Sequence, residues 1–130
     1  MVRVLNPELI TPKVISEERG ILSVFQAPGT LPFIPKRLFI ISEVPVGETR
    51  GRHAHKECEQ FLIATSGEIA VKVSNGNGDF DFFLKSNSEG LFLPKLNWVE
   101  FTFLSKNSSA TILASEVFNE SDYISDRGLI

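Results

Sequence analysis

Short runs rich in β-branched and aromatic residues recur along the chain, at residues 21–25, 37–44, 60–66, 69–74, 80–84, 91–93, 98–103 and 111–115. Runs of this length at close, even spacing predict strands, and their rhythm predicts an all-β sandwich or barrel. No stretch before residue 119 sustains an apolar pattern at helical spacing, so helix is a minor ingredient. Asn119-Glu120-Ser121-Asp122 reads as the cap of a short terminal helix through Ile124. Between two of the predicted strands, Asn75-Gly76-Asn77-Gly78 supplies residues that tolerate positive φ and predicts a tight hairpin. Proline and glycine cluster at residues 28–35 and predict a loop between the first two runs.

The 130 residues match one domain, 1–130, large enough to bury a real core. A formal net charge of −3, with Lys and Arg scattered among acidic residues, argues against a nucleic-acid surface. Residues 1–10 lack the basic and apolar segments of a leader, and no later apolar run approaches the ~18 residues of a membrane span. The single cysteine, Cys58, has no internal partner for a disulfide and is expected to be a small buried or half-buried residue. A soluble cytoplasmic protein with no membrane partner is expected.

Both histidines of the chain fall in one stretch, Arg50-Gly51-Arg52-His53-Ala54-His55, followed by Glu59 and Gln60. If the stretch is extended, its period of two puts His53 and His55 on one face and Ala54 on the other. Imidazoles exchange protons near neutrality and are also common metal ligands. Two imidazoles with one carboxylate suffice for a catalytic zinc with an open position, whereas two free bases need no further ligand. Gly47, His53, His55, Glu59 and Gly67 resemble the first motif of the cupins, with a last gap one residue longer than usual. In metal-binding cupins a later motif supplies a further His, and this chain has no third His.

A narrower resemblance spans nearly the whole chain. Glu18-Arg19-Gly20-Ile21-Leu22, Lys36-Arg37 before an apolar strand, the His stretch, Glu59-Gln60, Gly90-Leu91, Trp98, Leu113-Ala114-Ser115 and Glu120-Ser121-Asp122-Tyr123-Ile124 occur in order. In this the chain resembles the nucleotide-sugar 3,4-ketoisomerases, small cupins that act on dTDP-4-keto-6-deoxyglucose. The resemblance implies a jelly-roll-like β-barrel and a homodimer that exchanges N-terminal strands. It also implies a metal-independent, cofactor-free isomerase that moves the ketone from C4 to C3, on the route to 3-amino sugars of surface polysaccharides.

Carried over by position, His55 is expected to be the carbon base, and His53 to orient substrate or relay a hydroxyl proton. Arg19 and Arg50 are candidates for the diphosphate, since a guanidinium matches phosphate oxygens bidentately. Gln60 and Trp98 are candidates for the substrate pocket, with plain core the competing role for Trp98. The chain departs from the family pattern at two places. The strand after Lys36-Arg37 reads Leu38-Phe39-Ile40-Ile41-Ser42, where members usually carry a tyrosine, and Val99 follows Trp98 where His is common. Other expectations are a noncatalytic sugar-nucleotide or carbohydrate-binding cupin and a metal-dependent cupin oxygenase.

Overall fold

The computed structural model describes residues 3–130, so the first two residues of the segment read for a leader lie outside it. Its strands in chain order are β1 (Glu8–Ile10), β2 (Lys13–Glu17), β3 (Gly20–Val24), β4 (Arg37–Ile41), β5 (Thr49–His55) and β6 (Gln60–Ser66). They continue as β7 (Glu68–Asn75), β8 (Gly78–Lys85), β9 (Gly90–Leu93), β10 (Trp98–Phe103), β11 (Ser109–Ala114) and β12 (Tyr123–Ile124). Two antiparallel five-stranded sheets, ordered β1-β9-β6-β11-β4 and β12-β5-β10-β7-β8, pack face to face, and β2 and β3 form a separate hairpin. The all-β expectation holds, but the sheets do not close into a barrel.

The alternating pattern explains the layering. From β7 and β10, Ile69, Val71, Val73, Val99, Phe101 and Phe103 point between the sheets, where they meet Leu62, Ala64, Leu91 and Ile112 from the other sheet. Strand β6 breaks the alternation because it is buried on both faces. Leu62 and Ala64 enter the central core, whereas Phe61 turns outward into a second cluster with Leu31 and Phe92. Phe25, Ala27 and Phe33, from the proline-rich connection and the strand end before it, cover that cluster. Each fully buried Phe or Leu contributes about 2 kcal/mol of apolar transfer.

The expected hairpin is present, with Asn75 paired to Gly78 and the Asn75 side chain accepting from the Asn77 N–H at 2.7 Å. The terminal helix is not. Asn119 does cap, but only one 3₁₀ turn, Glu120–Asp122, after which the chain extends as β12 and pairs with β5. Pairing with the edge of β5 satisfies the backbone there, and a further helical turn would forfeit it. No helix among the described residues is long and apolar enough to cross a membrane.

Candidate active site

The histidine stretch forms β5, and its geometry turns on one irregularity. Against β10, His53 pairs with Val99, Gly51 with Glu100 and Arg50 with Phe101, so Arg52 is an extra residue. Gly51 and Arg52 take φ of 93° and 61°, the conformation of a bulge. Plain alternation would put Arg50 and His53 on opposite faces, but the bulge turns both toward the space between the sheets. Only glycine suits the bulge, because a Cβ at position 51 would lie 2.9 Å from the Val99 carbonyl oxygen.

That space is a cavity of about 250 Å³. Arg50, His53, Gln60 and Tyr123 supply its polar wall, and Phe39, Ile41, Phe101 and Ile112 its apolar wall. It lies where β4 and β11 of one sheet face β5 and β12 of the other, so the absence of barrel closure leaves it accessible. An apolar pocket with a few convergent polar groups suits a small organic ligand.

His53 and His55 do share a face, with ring centroids 5.1 Å apart and planes nearly perpendicular. Their relation to the cavity differs. His53 lines it, whereas His55 lies behind, buried to 5% exposure. The His55 Nδ1 bonds Asp122 Oδ2 at 2.9 Å. Asp122 also accepts the backbone N–H of Glu57 at 2.7 Å and of Cys58 at 3.3 Å. An ionised carboxylate only accepts, so Nδ1 of His55 carries the proton and Nε2 keeps its lone pair. That Nε2 is buried and has no hydrogen-bond partner among the described residues.

The electrostatics keep both rings neutral. Burial, then the neighbouring His55, lower the pKa of His53 to about 4, and the Gly51 carbonyl opposes this. Burial also lowers that of His55, the Arg37 charge adds to the effect, and Asp122 pulls it partly back. For Asp122, burial favours the neutral acid, but the bonds from His55, Glu57 and Cys58 outweigh it and hold the carboxyl below its usual range. His55, Cys58 and Asp122 bring three potential ligand atoms within 4.8 Å of one another. A metal there would displace the hydrogen bonds that already satisfy Asp122, so the set fits a positioning network better than an open metal site.

Among the expected site residues, Arg50, His53 and Gln60 meet at the cavity. Trp98 does not. It packs with Ala54, Ile124 and Leu96 on the far face of the sheet, because Val99 and not Trp98 shares the His53 side of the register. Arg19 sits at the tip of the β2–β3 hairpin with its side chain 90% exposed, away from the cavity walls of its own chain. The carboxylate beside the pair is Asp122 instead of Glu59, since the extended conformation ends at His55.

Two residues were missed. Asp122 and Tyr123 belong to the tail motif that carried part of the resemblance, yet the sequence places Asp122 in a helix cap and Tyr123 in the short helix after it. Tyr123 pairs with His55 across β12 and β5, and its ring centroid lies 4.4 Å from that of His55 and 5.2 Å from that of His53. The signal available was the tail motif itself, one acid and the chain's only phenol side by side.

The sequence model of the family described as FdtA: WxcM-like, C-terminal matches residues 6–128. The chain is 33% identical over 120 residues to a TDP-4-oxo-6-deoxy-α-D-glucose-3,4-oxoisomerase of Aneurinibacillus thermoaerophilus, covering 92% of this chain and 86% of that one. Its fold matches the 3,4-ketoisomerase QdtA of Thermoanaerobacterium thermosaccharolyticum, solved as a His-to-Asn variant with TDP-4-keto-6-deoxyglucose. The TM-score is 0.90 at 29% identity, over 98% of this chain and 92% of that one. A 3,4-ketoisomerase of Helicobacter canadensis matches with a TM-score of 0.90 at 30% identity, over 97% and 95% of the two chains. With the all-β fold, the His pair and the tail motif in place, the chain belongs to the cupin-fold TDP-sugar 3,4-ketoisomerases.

Proposed function

We propose that this chain moves the keto group of TDP-4-keto-6-deoxyglucose from C4 to C3 through an enediol, supplying a 3-keto sugar for amination. The observation that carries the reading is His53, a neutral imidazole on the wall of a cavity that also offers Arg50 and Gln60. Removing the proton on C3, next to a ketone, calls for a positioned neutral base, and general acid-base help of this kind is worth roughly 10²- to 10⁴-fold. His53 takes that role. This reverses the order expected from position alone, because His55 is buried behind His53 and its Nδ1 is committed to Asp122.

His55 and Asp122 position the base. Asp122 fixes the tautomer and ring plane of His55, which packs edge-on against His53 and holds that ring in place. Arg50 matches the diphosphate, and Gln60 offers donor and acceptor to a sugar hydroxyl. These chemistries need no metal.

Exposed apolar residues support a homodimer that exchanges its N-terminal hairpin. Val14, Ile15, Ile21 and Leu22 are all exposed, and the register pairs Ile15 with Leu22 on one face and leaves Val14 and Ile21 on the other. A lone two-stranded hairpin, apolar on both faces, gains by lying against a second copy. In that arrangement Arg19 at the hairpin tip belongs to a partner's diphosphate site. A lone free cysteine and a nucleotide-linked substrate support a cytoplasmic setting.

The test is incubation of chelator-treated protein with TDP-4-keto-6-deoxyglucose, followed by carbon NMR. The carbonyl carbon is expected to move from C4 to C3. An unchanged substrate would return the chain to a binding role, and activity lost to the chelator and restored by one divalent ion would favour a metal-dependent reaction.

A further inference from the structure

Moving a ketone to the adjacent carbon transfers two protons, one between carbons and one between oxygens. His53 accounts for the first. The polar groups on the cavity wall are Arg50, His53, Gln60 and Tyr123. An arginine does not give up its proton in a protein, and a carboxamide does not titrate. Phe39 and Ile41, on the β4 wall, offer no exchangeable proton. Among the described residues that line the cavity, one side chain besides His53 is then left that can both give and take a hydroxyl proton, the phenol of Tyr123.

Its placement is fixed from several sides. The backbone of Tyr123 is paired to His55, the preceding residue Asp122 is bonded to the same ring, and Phe118 packs on the phenol ring at 5.9 Å. The phenol therefore sits at a set position beside the base. We propose, resting on the isomerase reading above, that Tyr123 is a catalytic residue, the oxygen-side acid and base of the reaction.

The steps balance. His53 accepts the C3 proton, the C3–H electron pair forms the C3–C4 double bond, and the carbonyl pair moves to O4, which takes the Tyr123 proton. The Tyr123 phenolate then accepts the O3 proton, the O3–H pair forms the C3 carbonyl, and the double-bond pair takes the proton of His53 at C4. Both side chains return to their starting states, and the sugar is oxidised at C3 as it is reduced at C4.

The test is Tyr123→Phe, which keeps the ring against both imidazoles and removes only the hydroxyl. Turnover is expected to fall roughly 10²-fold or more. KM and affinity for TDP should change by less than about three-fold, the split of a group that acts in the transition state. Adding Phe39→Tyr to this variant returns a phenol to the opposite wall of the cavity, and recovery of about ten-fold or more in kcat would support the assignment. Parental kcat in Tyr123→Phe beside an inactive His53→Asn would overturn the role of Tyr123 and leave the reading of the site intact. A loss of TDP affinity matching the loss of activity would overturn it too, as a binding effect. A parent protein that leaves the substrate unchanged would sink the site reading and this proposal together.

Discussion

Asp122 is the residue on which the geometry of the pair depends. Its carboxylate collects three N–H donors, two from the chain just after β5 and one from His55, so it holds both the imidazole and the turn that follows it. Asp122→Asn keeps an acceptor oxygen but removes the charge, and is expected to lower kcat roughly 10²-fold with KM little changed. Equal kcat in steady-state assays of the two proteins would show that the tautomer of His55 is immaterial. The pH dependence has a definite sign. In the role proposed for it His53 is a neutral base, and burial lowers its pKa to about 4, so kcat/KM should stay level as pH falls through 6.5 and decline only toward 4. Stability follows the same direction: the unfolded chain binds a proton near 6.5 that the native site refuses, so stability is lost on acidification between those values. At this scale the sequence reveals His53, His55, Arg50 and Gln60, because they lie within one short stretch where period and proximity are readable. Asp122 is 67 residues from His55, and no local pattern says which tail residue will meet it. Trp98 was ambiguous for a related reason, since its face depends on a register that only the folded sheet defines.

The element that aims the site is β5, and its bulge is the detail the sequence conceals. Alternation correctly pairs His53 with His55, but it cannot bring Arg50 to the same face without an extra residue at Arg52. Gly51→Ala would force a Cβ against the Val99 carbonyl in a backbone conformation that suits glycine, at a cost of about 2 kcal/mol. Thermal denaturation should register that loss, and activity should fall further than stability because Arg50 and His53 no longer face the cavity together. A Gly51→Ala protein with parental melting temperature and turnover would mean that the bulge is incidental. The longer strands were readable by their apolar, β-branched and aromatic runs, and β6, buried on both faces, and β10 match their predicted runs residue for residue. β1 and β2 escaped because they are short and largely exposed, so they lack the apolar alternation that marks a half-buried strand. The tail misled because good cap chemistry at Asn119 is local, whereas the pairing of β12 with β5 is not.

Over the whole molecule, the two sheets meet in a continuous core and part at one end, where the cavity opens between β4 and β5. β4 is an edge strand with Leu38 and Ile40 exposed, and the separate β2–β3 hairpin carries exposed apolar residues on both faces. Apolar edges of this kind invite pairing, and light scattering at micromolar concentration is expected to give twice the chain mass. A monomeric mass would remove the hairpin exchange and with it the place of Arg19 in a partner's site. The central claim, that neutral His53 takes a carbon-bound proton from the sugar, is tested most directly by following TDP-4-keto-6-deoxyglucose in deuterated buffer with the parent protein and His53→Asn side by side. The parent is predicted to move the ketone to C3 and to carry solvent deuterium onto the ring, while His53→Asn binds TDP normally and leaves both ketone and ring protons in place. Undiminished deuterium exchange by His53→Asn would contradict the account.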